Sequence, residues 1–161
     1  MSLTKIIVIV IISGIILFAS LLVYALWPKI RDISDQKRLT RFVNTPLIIR
    51  TAAFIYKSDK GSYRFSEHVM SQMDQYESEK KYDLPVGSVI TIQKIKTYRN
   101  DAGSGYTDVF ALGEFITLKG EKIEFEYDWG GIDPPLYKTE VPDLPLAPWQ
   151  NITDSTINIE K

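Results

Sequence analysis

Residues 122–129 read Lys-Ile-Glu-Phe-Glu-Tyr-Asp-Trp, and this alternation decides the fold. Ile123, Phe125, Tyr127 and Trp129 fall on one parity, and Lys122, Glu124, Glu126 and Asp128 on the other. Successive strand side chains point to opposite faces, so a period of two writes a β-strand with one packed face and one wet face. Such a strand belongs in an antiparallel sheet with one solvated side.

Outward from this strand the signals repeat. Lys119-Gly120-Glu121 is a chain reversal, Tyr106 to Leu118 a second strand, Asn100 to Gly105 a glycine-rich turn, and Ser88 to Arg99 a third strand. Consecutive strands joined by short turns form a meander, so we expect a curved sheet or small open barrel. Upstream, Leu47 to Tyr56 is rich in β-formers and ends in the turn-like Ser58-Asp59-Lys60-Gly61, with Tyr63-Arg64-Phe65 as the returning strand. Val69, Met70, Met73 and Tyr76 recur at helical spacing, which predicts one short helix over Glu67 to Glu79 with Ser66 as N-cap. Downstream, five of the eight prolines lie between Asp133 and Trp149; the segment is expected to run extended and cover a sheet edge. Ile152 to Ile159 is read as a last short strand.

The N-terminal region follows another rule. Ile6 to Trp27 holds 22 residues, of which only Ser13, Gly14 and Ser20 are not apolar. As a helix it would reach about 33 Å, enough for a hydrocarbon core of about 30 Å. Tyr24 and Trp27 stand where aromatic rings meet headgroups. The expected class is therefore α+β: a tail (1–5), a transmembrane signal anchor (6–27), a basic juxtamembrane helix (28–44) and a mainly antiparallel β domain (45–161). A cleaved signal peptide is the competing reading, since Val23-Tyr24-Ala25 has the spacing of a processing site, but the apolar run exceeds the usual h-region of about 7–15 residues. Lys29, Arg31, Lys37, Arg38 and Arg41 would form a collar at the headgroups.

Orientation draws opposing signals. The basic collar, by the positive-inside rule, points the domain into the cytoplasm. The five residues before the apolar run and the absence of cysteine fit an exported domain in the cell envelope, the orientation adopted here.

Composition removes much chemistry. With no Cys and one His, thiolate nucleophiles, Cys-His pairs and His-rich zinc sites are excluded. Ala102-Gly103-Ser104-Gly105 is neither a nucleophile elbow nor a phosphate loop. Glu124 and Glu126 would sit about 7 Å apart on the wet face, without a cleft. No cofactor, metal, nucleic acid or small-molecule substrate is expected. The clearest long-range signal is charge: residues 28–41 carry net +3 and residues 114–161 net −6.

We therefore expect a single-pass, non-enzymatic domain that touches the lipid bilayer and binds a protein partner of cationic character. Two versions are an immunity or inhibitor protein acting against a toxin, and an accessory subunit of a membrane complex. Glu121, Glu124, Glu126, Asp128 and Asp133 would make the contact, with Tyr106 or Tyr137 as aromatic anchors. The alternatives are an envelope enzyme using carboxylate or Ser-Lys chemistry, and an assembly role carried by small residues of the membrane helix, such as Ser13-Gly14.

Overall fold

The computed structural model describes residues 2–59, 63–73, 79–99, 107–132 and 144–151. It begins with helix α1 (Leu3–Leu26), none of whose residues is buried by the rest of the chain. The helix is long and apolar enough to cross a membrane. Trp27 leaves the helical region (φ −70°, ψ 128°), and Pro28 bars its continuation.

The segment 28–44, expected to be a helix, is instead a short edge strand followed by an irregular excursion. Strand β1 (Lys29–Asp32) pairs with the far end of β6 (Val89–Arg99), and β2 (Pro46–Ile48) pairs with its near end, both antiparallel. They are two halves of one edge, interrupted by residues 33–45. Ile30, Ile33, Leu39 and Phe42 are too irregularly spaced to make a helical stripe. Freed from that geometry, Ile33, Leu39 and Phe42 all turn into the core, the last on a single 3₁₀ turn (Thr40–Phe42).

The meander forms as expected: β6, β7 (Thr107–Ile116) and β8 (Lys122–Ile132) pair antiparallel over most of their lengths. Two bulges adjust its faces. A register shift between Ile92 and Lys94 lets Ile90, Ile92 and Ile95 all point inward, although their spacing changes from two to three. A second shift, opposite Val109 and Phe110, accommodates Trp129. The turn at 100–105 lies outside the described residues, but Arg99 and Thr107 on either side of it are partners.

The remaining strands are β3 (Ala53–Lys57), β4 (His68–Ser71) and β5 (Glu79–Leu84), and the order is β1-β6-β7-β8-β4-β3-β5, with β2 beside β1 on β6. Three expectations change here. Leu47 to Tyr56 is two strands, because the chain crosses over at Arg50 and Thr51, whose N–H groups donate to the Pro148 carbonyl (2.7 and 3.1 Å). His68–Ser71, expected as helix, is a strand lying parallel to β8 through Val69–Glu126 and Met70–Tyr127. Its backbone is satisfied by the sheet, and Ser66 accepts from the His68 N–H without capping a helix. Tyr63-Arg64-Phe65 is not a strand but crosses the outer face of the sheet.

The sheet curls without closing, and Tyr82 of β5 meets Phe115 of β7 edge-to-face at 5.2 Å. Its concave side is filled from within. Leu144 to Gln150, part of the proline-rich segment expected to cover an edge, enters the core instead. Trp149 packs against Trp129 (5.1 Å) and Tyr127 (5.2 Å), and Phe42 closes on Trp129 at 5.5 Å. The Trp129 indole donates to the Pro145 carbonyl at 2.9 Å. Residues 133–143 and the strand expected over 152–159 lie outside the described residues.

Candidate functional site

The outer face of β8 carries the acids singled out in the sequence, and the structure separates their roles. Glu126 is 3% exposed. Its carboxylate accepts from the backbone N–H groups of Arg64 (3.0 and 3.1 Å), Phe65 (2.5 Å) and Ser66 (2.9 Å). The expected solvation of this side chain is thus replaced by three converging amides, a compact anion nest already filled by the protein's own acid. The same crossing lays Phe65 on Phe110 (5.5 Å), Lys96 over the Phe65 ring (5.0 Å) and Arg64 over Tyr98 (5.1 Å). Sequence reasoning missed this second small core. Its signal was Val109-Phe110-Ala111-Leu112, an unbroken apolar run that implies cover on both faces of β7.

The other acids stay at the surface. Glu124 is exposed, 4.0 Å from Lys122, which also pairs with Glu114. Hydrogen bonding to Glu114 and its charge hold the Lys122 ammonium above the usual lysine range. Gln93 reinforces Glu114 from β6. Asp128 is exposed and accepts from the Gly130 N–H at 3.0 Å. On β7, burial and then the charge of Asp128 push the Asp108 carboxyl up, with Arg64 opposing. On the inner face, burial pushes the Tyr127 phenol up to about 12. The acids therefore do not form one negative patch, because Lys122, Lys96 and Arg64 are set among them. Asp133, Tyr106 and Tyr137 lie outside the described residues. Among the described residues, no three His, Cys, Asp or Glu side chains gather closely enough to hold a metal ion.

A different surface stands out at the end of the sheet where β6 begins. Ile48 is the partner of Val89, and Phe115 the partner of the adjacent Ile90, so Ile48, Val89 and Ile116 form a row across three strands. They face outward with exposures of 51%, 53% and 69%, joined by Val86 at 65% and Leu118, fully exposed. Beside them a groove of about 620 Å³ opens between β5 and β7, floored by Tyr82, Leu84 and Phe115. Lys119 and Glu121 stand on its rim. A cluster of exposed aliphatic side chains of this kind marks an interaction site more often than chance packing.

The residues expected at a membrane interface divide in two. Tyr24 and Trp27 are exposed on the last turn and cap of α1, with Lys29 and Arg31 following on β1. Lys37, Arg38 and Arg41 lie exposed on the excursion between β1 and β2, with Arg41 over the Phe42 ring at 4.6 Å. No family model, curated protein or solved structure matches the chain.

Proposed function

We propose that this chain is a single-pass, membrane-anchored, non-enzymatic binding domain of the cell envelope, and that it offers the far end of its sheet to a protein partner. The observation that carries this reading is the exposed row Ile48–Val89–Ile116 with Leu118. The pole where α1 enters the sheet is marked by Arg99, partner of Lys29. Val89 begins the same strand, ten residue steps away, or about 33 Å. A tether at one pole and an apolar surface at the other suit a domain held near a membrane-bound target, whose effective concentration the tether raises. Lys122, the partner of Ile116, and Lys119, Glu121 and Glu124 around it give the apolar row a border of mixed charge, which favours a partner that brings aliphatic side chains and, for Glu121 and Glu124, cations. An immunity or inhibitor protein and an accessory subunit of a membrane complex both meet this description.

Two measurements test the proposal in a bacterial host. Alkaline phosphatase fused after Lys161 should be active, and a cytoplasm-dependent fluorescent fusion dark, if the domain is exported. A photo-crosslinking residue at Ile116 or Leu118 should then give one discrete adduct, which Val89→Glu abolishes and charge reversal at Glu121 and Glu124 slows at low salt. Adducts from α1 positions alone would transfer the function to the helix and overturn the proposal.

A further inference from the structure

The pole at which α1 joins the sheet gathers cations that the sequence keeps far apart. Only Trp27 and Pro28 separate the helix from Lys29, so that residue lies within about 8 Å of the Trp27 Cα whatever the tilt of the domain. Pairing with β6 sets Arg99 opposite Lys29, with Arg31 on the same face, while Asp32 and its partner Lys96 lie on the other. Directly opposed residues lie about 5 Å apart and strand residues advance by about 3.3 Å, so the three cations Lys29, Arg31 and Arg99, which share one face, fall within about 20 Å of the helix end. The nearby acids Asp32 and Asp108 lie on the other face with Lys96. The Asp32 carboxylate accepts from the Ser34 N–H (2.9 Å) and hydroxyl (2.6 Å), and Asp108 faces Arg64.

Below this cluster, the side of α1 carries a groove of about 770 Å³. It is lined by Ile16, Ala19, Ser20, Val23, Tyr24 and Trp27, and it ends at Lys29. A mostly apolar open groove that ends at Lys29, the partner of Arg99, has the polarity of an amphiphile. We propose that this pole binds anionic phospholipid, with an acyl chain along Ile16–Val23 and the phosphate at Lys29, Arg31 and Arg99, and that the β domain is thereby seated on the leaflet. The inference rests on α1 spanning the membrane. It adds to the partner surface a second one, at the opposite end of β6, that recognises lipid charge. Each neutralised cation should reduce the seated population about five-fold, the effect of one basic residue near an anionic surface.

The absence of cysteine allows single labels to be introduced. The full chain, with an environment-sensitive dye at Ile30→Cys or at Leu118→Cys, is reconstituted into phosphatidylcholine vesicles with or without phosphatidylglycerol. The Ile30 label should shift to the blue only with phosphatidylglycerol, the shift should collapse in 1 M salt, where screening acts within about 3 Å, and Arg99→Gln should weaken it about five-fold. Lys119→Gln, at the other pole, should leave it unchanged, and the label at Leu118 should show no lipid-dependent shift. Flotation separates the two layers of the reading. A chain that floats with both vesicle types but shows no lipid-dependent shift overturns the headgroup site alone. Flotation only with phosphatidylglycerol overturns the membrane span and keeps the site, whereas failure to float with either overturns both. The same shift produced by inorganic phosphate in phosphatidylcholine vesicles would make the site a general anion site and overturn the lipid assignment.

Discussion

The two faces of β8 are written by the same eight residues and are stabilised in opposite ways. On the inner face Phe125, Tyr127 and Trp129 are held by area and shape, pressed between the sheet and the Trp149 plug. On the outer face Glu124 and Asp128 remain in water, while Glu126 between them is as deeply buried as the aromatics. Alternation tells which residues share a face, but it does not tell whether a polar face is wet. A carboxylate can be buried wherever backbone donors replace its hydration, and here a loop some sixty residues away brings three of them.

The inner face should be the more expensive to damage. Trp129→Ala removes the ring that contacts both Phe42 and Trp149 and the indole bond to Pro145, so urea denaturation of the full chain in detergent should show a loss of about 4 kcal/mol. Glu126→Ala should follow at about 3 kcal/mol, because three amides lose a charged acceptor under cover. Its signature is local: hydrogen exchange at Arg64, Phe65 and Ser66 should accelerate together, and Glu126→Gln should restore part of the protection. Glu124→Gln on the same face should change stability by less than about 0.5 kcal/mol. Equal costs at Glu124 and Glu126 would mean that the converging amides contribute nothing.

Gly113 tests how closely β7 and its neighbours must approach. A Cβ there would lie 2.8 Å from the Phe125 ring, 2.8 Å from the Thr91 carbonyl and 2.9 Å from Ile92. The carbonyl belongs to a paired strand and has little room to yield, so Gly113→Ala should cost about 2 kcal/mol through overpacking. Gly87→Ala meets no atom but sits at φ +95°, so its cost should come from the backbone alone.

What the sequence made legible was what is local. The meander from Ser88 to Trp129 follows from period-two alternation and short turns, and α1 from an unbroken apolar run; both are properties of neighbouring residues. What stayed hidden depends on partners distant in sequence. Lys29–Asp32 is a strand only because β6 offers an edge, and His68–Ser71 only because β8 does, although its Val69, Met70 and Met73 also fit a helix. The apolar row of the proposed partner surface was equally illegible, since Ile48, Val89 and Ile116 look like isolated strand residues until register aligns them. The acidic run of the C-terminal third was visible, and Lys122 within it, but Lys96 and Arg64, which also divide it, come from β6 and from the crossing segment.

A small effect is expected on pH dependence, and it bears on the same outer face. Asp108 keeps its proton to higher pH in the folded chain than in the unfolded one, first because it is partly buried and second because Asp128 is near. As pH rises above the ordinary value of 3.8, the unfolded chain gives up this proton first, so stability falls across the window up to the raised value. Asp32 has the reverse sign: hydrogen bonds from the Ser34 hydroxyl and amide hold its carboxyl low, so its contribution is complete above 3.8 and is lost as pH falls below that. Asp108→Asn should therefore stabilise the chain at neutral pH and have no effect in acid, while Asp32→Asn should destabilise it at neutral pH. Asp32 is exposed and Asp108 half-buried, and screening should keep each difference to about 1 kcal/mol or less. The decisive variant is Asp128→Asn. If charge from the neighbouring strand contributes to the shift, the Asp108 carboxyl titration followed by NMR should move toward lower pH in that variant while remaining above 3.8, because burial persists. An unchanged titration would assign the whole shift to burial.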